Sequence, residues 1–327
     1  MLLLIAATIA SVVLTGAICR MLHVNAILDH PNERSSHTVP TPRGGGWGIL
    51  LVLVPAWAVI GVTPWIIAGI ALLAAISWRD DRRSLGAVPR LLAQCLAVAA
   101  GLVALGDGLV FQGWLPDWAD HAVVSVSWLW FINVFNFMDG IDGLAGSEAV
   151  SIAGGLALVA TLAGPSLLLP SLLSSDLVSP SLILTGAALG FLRWNWQPAK
   201  VFMGDVGSVP LGFAIGWLLT EAAVSGLWLA ALLLPLYFLS DATITLLRRL
   251  LAGRCIWLAH SEHFYQRAVQ NGRSHAQVVR SVIAVNSVLI GLVLAAPVLG
   301  WPVLVGGALV VLMLIRILAK APSLPPQ

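Results

Sequence analysis

A chain of 327 residues that is 59% hydrophobic and only 10% charged is excluded from the water-soluble globular class, in which about a quarter of residues are charged. Its formal net charge of +2, from 17 basic and 15 acidic side chains, gives no reason to expect a nucleic-acid partner. The three cysteines, Cys19, Cys95 and Cys255, share no paired spacing, so free thiols are expected and a Cys-x-x-Cys metal framework is excluded.

The expected fold is an all-α polytopic membrane bundle. Apolar stretches near bilayer-crossing length predict helices at 1–20, 47–62, 64–78, 91–106, 122–138, 148–164, 178–193, 207–222, 225–247, 281–298 and 301–319. That is about eleven transmembrane helices in one domain, residues 1–327. Met1 to Ala17 lacks a basic leader and further spans follow, so it reads as a retained helix rather than a cleaved signal peptide. With the N-terminus outside, every Lys and Arg falls in a cytoplasmic segment. The outer segments then hold Asp107, Asp117, Asp120, Asp176, Glu221 and His121. This partition obeys the positive-inside rule. It predicts a cytoplasmic C-terminus and polar chemistry gathered in five cytoplasmic loops.

The first loop runs from His30-Pro-Asn-Glu-Arg-Ser-Ser-His37 to Arg43-Gly44-Gly45-Gly46. Glycines ahead of a helix let backbone N–H groups approach an anion, and the helix dipole adds to the attraction. A phosphate contact and a plain re-entry turn both fit. In the second loop, Trp78-Arg-Asp80-Asp81-Arg-Arg83 is either a joint site for a cation and an anionic head group or a solvated juxtamembrane charge run. The third loop, Asn133-Val-Phe-Asn136-Phe-Met-Asp139-Gly-Ile-Asp142-Gly-Leu-Ala-Gly146, puts two aspartates directly after a long apolar run. A charge is expensive at bilayer depth, so Asp139 and Asp142, with Asn133 and Asn136 nearby, read as a hard-cation or phosphate site at a membrane mouth. In the fourth loop, Phe202-Met-Gly-Asp205-Val-Gly-Ser208 sets an aspartate between glycines before an apolar span. Hard cations such as Mg2+ take carboxylate oxygens together with water and substrate phosphates. One Gly-Asp-x-Gly turn is a weak signal, but four aspartate-bearing loops on one face are a stronger one.

The fifth loop carries His260-Ser-Glu-His263-Phe-Tyr-Gln-Arg267 and then Gly272-Arg-Ser-His275. His260 and His263 are three apart and are expected to share a helix face. Zinc lacks a third close ligand here, so phosphate hydrogen bonding by the imidazoles and Arg267 fits better. Interfacial packing through Phe264 and Tyr265 is the other reading. Asp241 lies inside the helix predicted at 225–247, and an intramembrane carboxylate is a functional candidate against an internal ion pair or hydrogen bond. Together these groups suit phosphoryl transfer, whose catalysis is mostly positioning and charge neutralisation. A nucleotide-linked donor would arrive from the cytosol and a lipid phosphate sideways between helices. A transporter or flippase, the alternative, would set ionisable residues near the midplane of repeated halves. Here no halves repeat, and only Asp241 sits mid-helix.

In this order, Arg43 to Gly46, Asp80-Asp81, Asn133 to Ala145, Phe202 to Ser208 and His260 to Gln266 resemble the polyprenyl-phosphate N-acetylhexosamine-1-phosphate transferases of glycosyltransferase family 4. That family includes the lipid I synthase of peptidoglycan assembly. The resemblance implies a ten- or eleven-helix fold in a bacterial cytoplasmic membrane, with Mg2+ as cofactor and Mn2+ as its substitute. It implies transfer of a sugar-1-phosphate from a UDP-sugar to undecaprenyl phosphate with release of UMP, and it is compatible with a homodimer. By the same resemblance, Asp205 would ligate the metal, and Asp80 and Asp81 would orient or deprotonate the lipid phosphate. Asn136, Asp139 and Asp142 would line the nucleotide and metal pocket. His260 and His263 would hold phosphate or sugar, and Arg43, Gly44, Gly45, Asn133 and Arg267 would contact substrate. Direct attack by the lipid phosphate is expected, since a phosphate dianion needs only positioning. The peptidoglycan branch carries adjacent histidines where this chain has His260-Ser-Glu-His263. The first loop is instead similar to the branch that starts O-antigen or other surface glycans. A UDP-N-acetylhexosamine of the GlcNAc, GalNAc or FucNAc type is therefore the expected donor, with the phospho-muramoyl-pentapeptide branch as the alternative.

Overall fold

Lipid offers backbone N–H and C=O groups no partners, so a chain this apolar satisfies them within helices. The computed structural model describes residues 1–31, 39–163, 177–255 and 260–320. The first-loop stretch Asn32 to His37 and the connection at 164–176 lie outside the described residues. In chain order the helices are α1 (Leu2–Val24), α2 (Trp47–Val59), α3 (Pro64–Arg83), α4 (Ala87–Leu105), α5 (Asp117–Phe137), α6 (Leu144–Ala163) and α7 (Val178–Asn195). They continue with α8 (Asp205–Val224), α9 (Trp228–Leu233), α10 (Leu236–Leu251), α11 (Phe264–Gln270), α12 (His275–Leu299) and α13 (Pro302–Ala319). A short antiparallel ribbon pairs β1 (Leu28–Asp29) with β2 (Thr41–Pro42).

The protein is an all-α membrane protein. Helices α1, α4, α6, α8, α12 and α13 are long and apolar enough to cross a bilayer. Helix α8 is buried almost throughout and forms the axis, packed by α3, α5 and α6. Trp128 of α5 fixes that packing: its indole N–H donates to Phe213 O of α8 at 3.0 Å, and its ring stacks on Phe213. Helix α1 lies along α7, with Ser11 Oγ donating to Ala187 O at 2.6 Å and Trp194 Nε1 to Val12 O at 2.9 Å. Exposed Ile9 and Val13 on α1, and Leu309 and Met313 on α13, form an apolar rim that suits lipid rather than water.

Three departures from the predicted helices bear on the site. The helix expected at 225–247 is broken into α9 and α10, because Pro235 has no N–H to donate and its ring opposes a continuing helix. The helix expected at 64–78 continues to Arg83, so Asp80 and Asp81 ride on its last turns instead of a loop. Asp205 and His275 are each the first residue of a helix, two or more residues earlier than the apolar pattern suggested.

Candidate active site

The first and fourth loops are clipped together through their backbones. Phe202 N–H donates to Pro42 O, Gly45 N–H to Phe202 O at 2.8 Å and Gly46 N–H to Met203 O at 2.9 Å, while Gly44 N–H reaches Phe202 O at 3.2 Å. The glycine N–H groups thus serve the fourth loop. Gly46 is glycine for a steric reason, since a Cβ there would strike the backbone of Gly207. Gly204, at φ 72°, a conformation open to glycine without steric cost, turns the chain into α8.

Asp205 opens α8 beside three polar neighbours. Asp81 of α3 accepts the N–H groups of Asp205 (3.3 Å) and Val206 (3.0 Å), a carboxylate at a helix N-terminus, where the dipole favours it. The Arg43 guanidinium lies 3.0 Å from both Asp81 and Asp205. Burial opposes its charge, but Asp81 and Asp205 outweigh that and raise its pKa further. Asn136, in the last turn of α5, donates to Asp205 Oδ1 at 3.3 Å and to Ser208 Oγ at 2.8 Å.

Arg43, Asn136 and Asp205 face a polar cavity of about 230 Å3, whose lining also includes Asp29, Asp139, Asp142, Asn195 and Gln266. Burial, and then the nearby Asp205 charge, push the Asp139 carboxyl well above the usual range, against the pull of Arg43. Asp142 is anchored as well as exposed to the cavity. Its Oδ2 accepts Ala199 N–H at 3.0 Å, and His275 Nδ1 lies 3.3 Å from its Oδ1 and from its own N–H.

Asp80 faces elsewhere. It pairs with Arg90 at 3.1 Å and accepts Leu85 N–H. Both residues line a second cavity of about 270 Å3, with Gln94, Asn133, Asn136, Asp205 and apolar Leu91 and Phe137. Asn133 is tied to Gln94 at 2.8 Å. Leu91, Asn133 and Phe137 also line a third, apolar recess of about 440 Å3 with Val126, Leu129, Trp130 and Leu246. Asp205 and Asn136 therefore form the wall shared by a polar cavity and one that continues into an apolar groove.

The histidines do not share a helix face as expected. His263 is the N-cap of α11 and His260 precedes it, with the rings 4.9 Å apart. His263 is buried, with Nδ1 3.3 Å from Asp241 Oδ1. Asp241 also accepts Phe264 N–H (3.0 Å), Tyr265 N–H (3.1 Å) and Tyr237 O–H (3.2 Å). The intramembrane carboxylate is thus the anchor of the histidine segment. Burial, then His263 and Arg249, bring His260 down to about 4, so it is neutral near pH 7. His263 stacks on Phe137, and the Tyr265 hydroxyl donates to Phe137 O at 2.9 Å. Through Phe137 the segment abuts the second cavity. Gln266, rather than Arg267, reaches the first. Asp29, Arg90, Asn195 and Gln266 were given no role by the motifs, although Gln266 lies inside the fifth-loop motif next to Arg267 and Arg90 follows Asp80 by ten residues.

Among the described residues no three His, Cys, Asp or Glu side chains gather at metal-ligand spacing. A hard cation that keeps its waters and leans on substrate phosphates needs only one or two carboxylates, and Asp205 with Asp139 across the same cavity fits that case.

Residues 63–223 match the profile of Glycosyl transferase family 4. A decaprenyl-phosphate N-acetylglucosaminephosphotransferase of Mycolicibacterium smegmatis is 30% identical over 303 residues, covering 76% of this chain and 70% of that protein. The chain belongs to this family, the polyprenyl-phosphate N-acetylhexosamine-1-phosphate transferases. The transferase is also similar to a probable undecaprenyl-phosphate N-acetylglucosaminyl 1-phosphate transferase of Bacillus subtilis, 28% identical over 283 residues, 82% of this chain and 76% of the relative. A phospho-N-acetylmuramoyl-pentapeptide-transferase of Synechococcus elongatus is 29% identical over 242 residues, 67% of this chain and 63% of the relative. The matched 63–223 stretch contains Asp80, Asn136, Asp139, Asp142 and Asp205 of the cavity walls, whereas Asp29, Arg43 and Gln266 lie outside it.

Proposed function

We propose that the transferase moves an N-acetylhexosamine-1-phosphate, of the GlcNAc, GalNAc or FucNAc type, from a UDP-sugar to undecaprenyl phosphate. UMP is released, and the first sugar of an O-antigen or other envelope glycan remains on its lipid carrier. The observation that carries this reading is the shared wall of Asp205 and Asn136. A polar cavity with Arg43 lies on one side, and a cavity with Arg90 that opens to an apolar groove lies on the other. A charged nucleotide-sugar and a lipid phosphate need just such different approaches to one point.

In this reading Asp205, with Asp139, holds Mg2+ or Mn2+, which when bound neutralises charge on phosphoryl oxygens. Arg43 and Asn136 orient the pyrophosphate. Arg90 receives the lipid phosphate at the groove mouth, exchanging its Asp80 partner for the stronger dianion. Asp80 and Asp81 already accept hydrogen bonds from backbone and arginine, which favours orientation over proton abstraction. The lipid phosphate oxygen bonds to the sugar-bearing phosphorus as the bridging P–O bond breaks, and UMP leaves with the electron pair. The same reading sets about eleven crossings in a bacterial cytoplasmic membrane, N-terminus outside and C-terminus in the cytoplasm, by the positive-inside rule. The test is UMP release from purified protein with each substrate omitted in turn. Release only when both are present is expected; release without lipid phosphate would point to a covalent enzyme intermediate or hydrolysis.

A further inference from the structure

Glu148 lies on the first turns of α6 and is fully buried, yet it takes no part in the site above. Asn286 of α12, also buried, donates from Nδ2 to Glu148 Oε2 at 2.6 Å. The other two atoms of the pair, Glu148 Oε1 and Asn286 Oδ1, have no hydrogen-bond partner among the described residues. If the carboxyl were ionised, both would be acceptors without a donor, and a charge would stand at helix depth. One proton removes all three penalties. An un-ionised Glu148 donates from Oε1 to Asn286 Oδ1 and closes a two-bond acid–amide ring. Turning the amide end for end exchanges the two bonds and still requires one carboxyl proton. Tyr237 of α10 is a titratable neighbour of this carboxyl, and its hydroxyl donates to Asp241. Asp241 is occupied by the N–H groups of Phe264 and Tyr265 and by the Tyr237 hydroxyl.

We propose that Glu148 and Asn286 form this acid–amide ring and that it positions α12 against α6. Helix α12 begins at His275, which meets Asp142 just ahead of α6. The ring is therefore the second polar bridge between the same two segments, about 16 Å further along α12 at 1.5 Å per residue. Glu148 is a positioning residue in this account: it sets where His275 holds the Asp142 turn.

The test compares full-length wild type, Glu148→Gln, Glu148→Ala and Asn286→Leu in proteoliposomes, by infrared difference spectroscopy and transfer kinetics. Wild type minus Glu148→Gln is expected to show the C=O stretch of an un-ionised carboxylic acid. Glu148→Gln keeps both bonds as an amide–amide ring, so its kcat/KM stays within about twofold. Glu148→Ala and Asn286→Leu each strand a buried polar group and lower kcat/KM by about five- to a hundredfold. A carboxylate stretch in place of the acid band, or a Gln variant as impaired as the Ala variant, would overturn the proposal. Should Glu148→Ala fail to fold, the infrared band and the Gln variant still decide. The infrared result does not depend on which sugar is transferred.

Discussion

Replacing Asp241 by Asn removes one acceptor oxygen at the start of α11 and puts an NH2 group in its place. Asp241 has two backbone N–H groups to satisfy, those of Phe264 and Tyr265 at 3.0 and 3.1 Å, in addition to the Tyr237 hydroxyl and His263 Nδ1. The amide can accept on one oxygen only, so one buried donor is stranded, at a cost of about 1–3 kcal/mol. The lost negative charge at a helix N-terminus adds about 0.3–1 kcal/mol. Together these shift the docking equilibrium of the histidine segment by roughly ten- to several-hundredfold. Because that segment abuts the second cavity through Phe137, we expect Asp241→Asn to lower the transfer rate at least tenfold while the protein stays monodisperse in detergent. Hydrogen exchange would quicken at the amides of Phe264 and Tyr265. Wild-type transfer with unchanged exchange at those amides would refute the anchoring role.

Three further outcomes follow from the geometry. Asp205→Asn is expected to abolish transfer without loss of folded protein, and near-normal turnover by a stable, purified variant would remove Asp205 from the metal role. Gly46→Ala drives a Cβ into the Gly207 backbone and should cost about 1–3 kcal/mol of thermal stability, as overpacking does. Gly291→Ala, whose Cβ meets nothing in the interior of α12, is the control and should be no less stable than wild type, since Ala favours a helix interior over Gly. His260 sits at about 4 in the folded chain against about 6.5 unfolded, so protonation between those values favours the unfolded form. The melting temperatures of wild type and His260→Asn should thus keep a constant difference above pH 6.5 and change relative to each other only as the pH falls from there; a change between pH 7 and 9 would contradict the shift.

Much of the site was legible because lipid constrains where a carboxylate can lie. Asp139, Asp142 and Asp205 fall at the ends of apolar runs, and the structure brings all three to one cavity. The motifs could not say which loop partners which. The Arg43 to Gly46 glycines looked like an anion cradle, yet their N–H groups serve Phe202 and Met203, a pairing between loops about 160 residues apart. Adjacent Asp80 and Asp81 looked like one unit. On a helix, neighbours point about 100° apart, and so one meets Arg90 and the other meets Arg43. His260 and His263 looked helical because their spacing is three, but His263 caps the helix instead. The break at Pro235 was hidden by uninterrupted apolar residues on both sides. The Glu148–Asn286 pair carries no local signal, since its meaning comes from helices that meet only in three dimensions.

The central claim is tested most directly by a donor screen. Purified protein would be incubated with Mg2+, undecaprenyl phosphate and a panel of UDP-sugars that includes the muramoyl-pentapeptide donor, and the lipid fraction read by mass spectrometry. The account predicts an undecaprenyl-diphosphate carrying a single N-acetylhexosamine, formed together with UMP. No lipid product from any donor, or a product from the muramoyl-pentapeptide donor alone, would contradict it.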